Sequence, residues 1–202
     1  LALDNYTDLQ EAIADYLDDD LTDQIKDFIR LAEARHRREI RIREMVKREA
    51  ITVNARYIDF PTGFLEARNL RIITNPMRVL SEVSVHEMNL RRRDETGLPS
   101  FVTFHEQIEF DVVPDSAYNG EIIFYKAVDR LSDSNTTNDI LDIAPDAYLY
   151  GALLASAPFL LNDERVQLWG TLYAQARDSL NATAKASRRT GPLVSRVTGA
   201  TP

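Results

Sequence analysis

Over residues 142–186 the apolar side chains keep helical spacing longer than anywhere else in this 202-residue chain, and that commits the fold to helices packed on one another. Pro145 followed by Asp146 marks a helix start, because proline at the first helical position sacrifices no hydrogen bond and an acid there faces the positive end of the dipole. Leu149, Ala152, Leu153 and Leu160 recur at the three-to-four spacing of one buried face, flanked by Tyr148 and Phe159. Gly151, Ala152 and Ala155 are small enough to admit a second backbone, which predicts a helix lying between others. Pro158 bends or ends it. Asn162 caps a following helix, whose stripe is Val166, Trp169, Leu172, Tyr173, Ala176 and Leu180. The pair predicts a helical hairpin.

The start of the chain repeats the pattern. Thr7 with Gln10 reads as a capping box before a short helix with Leu9, Ile13, Tyr16 and Leu17 on its apolar face. Asp18, Asp19 and Asp20 end it. Thr22 caps a longer helix with Ile25, Phe28, Ile29, Ala32 and His36 in one stripe, continued less cleanly by Ile40 and Met45. Charge divides sharply here: residues 1–34 hold ten acids and two bases, residues 35–48 seven bases and two acids, and the chain from Ala182 onward four bases and no acid. Acids near the start of the second helix and arginines near its end both favour its dipole. The arginine run therefore reads first as a solvated helix face, and the division also offers complementary surfaces to copies of the same chain.

After Glu49 the periodicity turns alternating and strand-forming residues take over. Residues 51–53 and 56–60 read as a hairpin about Asn54 and Ala55, and 67–74 as a further strand closed by Asn75-Pro76. Ser84 with Glu87 caps a short helix to about Leu90. Residues 101–105, 107–113 and 121–128 read as three strands, the last two joined by the turn-rich 114–120, in a sheet with one wet face. A polar loop, 131–139, returns the chain to helix. The fold class this predicts is α+β, mainly α: an antiparallel helical bundle (residues 1–48 and 139–186), an inserted small antiparallel β module (49–138) and an extended C-terminal arm (187–202). The arm's few large apolar residues cannot pack on one another, so it is expected to be flexible on its own.

Composition narrows the function. Without cysteine there is no disulfide framework or thiolate metal site. The longest uncharged run, 147–162, is shorter than the ~20 residues a membrane span needs. Asp4 and Asp8 stand where a secretory leader carries positive charge, so export by that route is not expected; the missing first methionine points to a trimmed or incomplete end. Glycine-rich phosphate loops, nucleophile turns and clustered metal ligands are all missing. His36, His86 and His105 lack ligand spacing, and an acid pair such as Glu66 and Glu87 has no specificity. The reading is of a non-enzyme with no cofactor and no metal. Arg35, Arg37, Arg38, Arg41, Arg43, Lys47 and Arg48 suit phosphates, but a net charge of -8 repels a duplex and no aromatic alternates with them for stacking.

Several separated motifs agree on a family. Asn5-Tyr6-Thr7-Asp8-Leu9, the run from Asp27 to Arg35, the run from Arg38 to Met45, Phe60-Pro61-Thr62-Gly63-Phe64-Leu65-Glu66 and the run from Ala144 to Leu153 together resemble the head-to-tail adaptor (connector) proteins of tailed bacteriophages. The similarity runs in order from about Asp4 to Ala186. Where the family often has a glycine turn between two strands, this chain has His105-Glu106.

The resemblance implies a structural virion protein at the head-tail junction, assembled in the host cytoplasm as a ring of twelve copies. Its partners would be itself, the portal protein, a tail or nozzle protein, and genomic DNA passing through without sequence-specific binding. It further implies that the arm docks on the portal through Arg188, Arg189, Leu193, Val194, Arg196 and Val197. Contacts between neighbouring copies are then expected where Asp18, Asp19, Asp20, Asp23 and Asp27 meet Arg35, Arg38 and Arg41. A DNA-binding accessory protein, or an adaptor with cell-wall hydrolase activity, are the alternatives.

Overall fold

The computed structural model describes residues 3–17, 22–160 and 164–187. In chain order its elements are α1 (Tyr6–Leu17), α2 (Thr22–Glu39), a 3-10 turn (Arg43–Met45), β1 (Val46–Val53), β2 (Tyr57–Ile58), β3 (Phe64–Ile72), β4 (Arg78–Val79) and β5 (Ser81–Glu82). Then come α3 (Val85–Arg91), β6 (Phe101–Phe104), β7 (Ile108–Phe110), β8 (Tyr118–Lys126), α4 (Asp139–Ile143), α5 (Pro145–Ser156) and α6 (Arg165–Ser187). They form two compact units, one taking Asp8–Arg43 and the chain from Ala144, the other Asp4–Thr7 and Glu44–Ile143.

In the first unit α5 packs against both α2 and α6. Its residues Ala147, Tyr148, Leu149, Gly151, Ala152, Leu153, Ala155 and Ser156 are buried around most of its circumference, as expected of a helix between two others. Proline at its start and Pro158 just beyond its end bound it as predicted; Leu160 therefore lies past the helix. Gly151 makes the close approach possible: a β-carbon there would stand 3.2 Å from Ala32 Cβ and 3.3 Å from both His36 Nε2 and Tyr173 Cε2. Trp169 is 2% exposed. The Asn162 cap lies outside the described residues.

The second unit overturns the expectation of a mainly helical bundle with a small antiparallel β module. The α+β class stands, but 44% of the described chain is helical against 24% extended, and the strands form two four-stranded sheets, ordered β1-β8-β3-β4 and β2-β7-β6-β5. One pairing, β5 with β6, is parallel. The expected hairpin about Asn54 and Ala55 does not form, since β1 pairs with β8 and β2 with β7 in different sheets. Residues 111–117 likewise link strands of two sheets, β7 and β8, and the expected turn 114–120 ends in β8, where residues 118–120 pair with β1. Each sheet gives one face to a shared core, with Val53, Leu70, Ile72, Ile122 and Phe124 from the first and Val102, Ile108 and Phe110 from the second. Burying each of these large side chains contributes roughly 1.5–3 kcal/mol. The Phe64 ring lies 4.1 Å from Phe60 and 5.6 Å from Phe124.

Turns set the strand directions. Gly63 adopts φ 75°, which side chains disfavour, and closes the Pro61–Phe64 turn into β3. β6 and β7 join through His105-Glu106 without glycine, the His105 amide donating to Gln107 O. The outer face of the second sheet is not wet: Thr103, Glu109 and Asp111 are buried, and α3 packs on β6 with Arg91 4.3 Å over the Phe101 ring.

Two helix limits also differ from expectation. α1 begins two residues earlier than a Thr7 cap allows, because Asn5 Oδ1 accepts the Thr7 amide at 2.9 Å and acts as the cap. α2 stops at Glu39, well before Met45, which lies in the 3-10 turn that leads into β1. Ser84 caps α3 as predicted, accepting the Glu87 amide at 3.2 Å.

Candidate functional site

The arginine-rich end of α2 is held by α5 and α6. His36 is 2% exposed, its ring edge-on to Tyr148 and stacked on Tyr173. Nε2 lies 3.3 Å from the Ala147 carbonyl and so carries the proton, while Nδ1 has no partner among the described residues. Burial pushes this imidazole down to about 4, with Arg35 adding to that effect and the Ala147 carbonyl and Glu39 opposing it. The ring is neutral near pH 7.

One turn later Glu39 collects three groups of α6. Arg177 pairs with its Oε2 at 3.0 Å, Tyr173 donates to the same oxygen at 3.3 Å, and Asn181 Nδ2 donates to its carbonyl at 2.8 Å. Asn181 Oδ1 in turn accepts the Arg41 amide at 2.9 Å. One side chain thus satisfies both a carbonyl at the helix end and the amide beyond it. This is why α2 ends where it does. Burial and the neighbouring Glu39 push the Tyr173 phenol up, and hydrogen bonds to Asp178 and Glu39 hold Arg177 more firmly protonated.

Among the described residues, neither Asp23 nor Asp27 pairs with Arg35 or Arg38 within one chain. Asp23 and Arg38 are exposed, Asp27 pairs with Arg30 on its own helix at 3.3 Å, and Arg35 lies 5.4 Å from the Tyr173 ring centre. Arg41 donates to the carbonyls of Arg37 and Ile40. Asp18, Asp19 and Asp20 lie outside the described residues, as do Arg188, Arg189, Leu193, Val194, Arg196 and Val197.

In the second unit the buried carboxylates serve the backbone and neighbouring strands. Asp111 Oδ1 accepts the amides of Ser100 and Phe101 at 2.9 and 3.1 Å, and Oδ2 pairs with Arg93 at 3.1 Å. Glu109 lies between Tyr57 and His105. Glu121 bridges Arg71 at 2.7 Å and Arg48 at 3.4 Å across three strands. A groove of about 430 Å³ runs along Thr74, Asn75, Pro76, Met77, Arg78, Val79 and Leu98. Among the described residues no group of His, Asp and Glu has the arrangement of a metal site, and no helix is long and apolar enough to cross a membrane. His36, Asn181 and Asp111 were missed as organising residues because their partners lie elsewhere in the sequence; only Gly151 signalled a close approach.

Comparison with individual curated proteins gives no match. The model of one family, described as SU10 adaptor protein, matches residues 4–196. That span covers nearly the whole chain and contains both compact units. The chain therefore belongs to the SU10 adaptor protein family, whose name marks it as a structural adaptor of phage.

Proposed function

We propose that this protein is the head-to-tail adaptor of a phage virion: a ring of twelve copies seated on the portal, extending the DNA channel and presenting a platform for the tail or nozzle protein. The observation that carries the reading is the family match, which runs through residues 4–196 and so includes most of the C-terminal arm. DNA passes through the ring without sequence-specific contacts, consistent with a net charge of -8. The ring has a mechanical role and no catalytic one.

Residues 187–202 dock on the portal through Leu193, Val194 and Val197, with Arg188, Arg189 and Arg196 orienting them against acids. Repetition around a ring raises the effective concentration of each arm once the first is bound. Between copies, the acids Asp18, Asp19, Asp20, Asp23 and Asp27 lie towards Arg35, Arg38 and Arg41 of a neighbour. Each such exposed pair contributes only about 0–1 kcal/mol, so apolar contacts and the portal template complete the ring.

The test is co-sedimentation with purified portal rings, comparing the full chain with one lacking residues 188–202, which leaves α6 intact. The full chain is expected to travel with the rings and the truncated chain to remain in the supernatant with unchanged thermal melting. Equal binding by both would remove the arm's role, and no binding by either would remove the portal.

A further inference from the structure

Two exposed helix faces of the helical unit carry opposite chemistry. On α1 Glu11 and Asp15 are exposed and about 40° apart around the helix, opposite the buried Leu9, Ala12, Ile13 and Leu17. On α2 Leu31, Ala34 and Arg38 recur at the spacing of one face, with Arg37 beside them, and all four are exposed, Leu31 by 54%. Among the described residues neither Glu11 nor Asp15 has a cationic partner, and neither Arg37 nor Arg38 an acidic one. Asp27, by contrast, is engaged by Arg30.

We propose that a second copy of this chain covers both faces, the Glu11–Asp15 face of α1 in one copy lying on Leu31, Ala34, Arg37 and Arg38 of α2 in the next. This rests on the reading of the chain as a self-associating ring subunit and names the surfaces that meet. Because the two faces differ, the contact is heterologous, and each added copy leaves one face of each kind open until rotation closes the ring. Burial of Leu31 supplies the apolar part of the contact. The charges select partners: α1 on α1 and α2 on α2 would each bring like charges together. The acidic side of the contact is thus α1 as well as the aspartates nearer α2.

The chain has no cysteine, so single-cysteine variants report contacts cleanly. Asp15→Cys and Leu31→Cys proteins, one carrying a size tag, are mixed under oxidising conditions, free and on portal rings. The mixed disulfide is expected to dominate both homodimers. Arg37→Glu with Arg38→Glu in the Leu31→Cys partner is expected to abolish it, and Glu11→Lys in the Asp15→Cys partner to restore it. Homodimers equal to or exceeding the mixed product, or a mixed product indifferent to these reversals, would overturn the interface. Portal binding by the same preparations reports separately on the adaptor reading: a protein that decorates portal rings without the mixed disulfide is an adaptor built through other surfaces.

Discussion

His36 and Tyr173 lie ring over ring, 5.9 Å between centroids and 13° between planes, which joins α2 to α6 across the glycine of α5. The imidazole in this stack is charged only with difficulty. Arg35 and Glu39 on α2, Tyr148 on α5 and Tyr173 on α6 are the charged or titratable groups around it.

Stability should therefore fall on acidification. Folded His36 stays neutral down to about pH 4, whereas in the unfolded chain it takes a proton near 6.5. Between those values the unfolded state binds more protons, so the contribution is complete above the upper value and lost as pH drops through the lower. A displacement of this size corresponds to about 3 kcal/mol. Urea melts at pH 6.5, 5.8 and 5.0 should show declining stability, with a shallower slope in His36→Leu. Identical slopes in the two proteins would refute the assignment.

Gly151→Ala should destabilise the protein. Alanine gains about 1 kcal/mol of helix propensity, but its methyl group would press on Ala32 Cβ and two packed rings at 3.2–3.3 Å, and overpacking costs about 1–3 kcal/mol. Ala32 Cβ is fixed to helix backbone and cannot swing aside. A net loss of about 1 kcal/mol is expected in urea unfolding; a gain would show that α2 yields.

Asp111→Ala should cost about 3 kcal/mol, since it strands two amides at the start of β6 along with Arg93. Asp111→Asn should cost less, because its carbonyl oxygen still accepts both amides. Equal losses in the two variants would place the effect in the charge instead.

Trp169, the only tryptophan, is 2% exposed. Native emission should be blue-shifted and resist acrylamide, moving red on unfolding. Water-like native emission would contradict the packing of α6.

How much of this was legible follows the range of each interaction. α6 and most of α2 showed themselves because amphipathic spacing is local, α5 because Pro145 opens a run of apolar and small residues that marks a helix between others, and α3 because Ser84 and Glu87 are three residues apart. Strand pairing was not legible: Val46 pairs with Tyr125, and β4 and β5 are two residues each, too short for any period. The end of α2 was misread because Ile40 and Met45 continue its stripe, while the group that stops it, Asn181, lies 142 residues from Glu39. The arginines of α2 were legible as a charge block, but not that Arg35 turns to Tyr173 while Arg37 and Arg38 remain outside.

The central claim, an adaptor ring at the head-tail junction, is tested most directly by imaging phage particles labelled with an antibody against this protein. The account predicts label at the single tail-bearing vertex, and vertices without tails in particles assembled without the protein. Label scattered over the capsid, or particles that carry none, would contradict it.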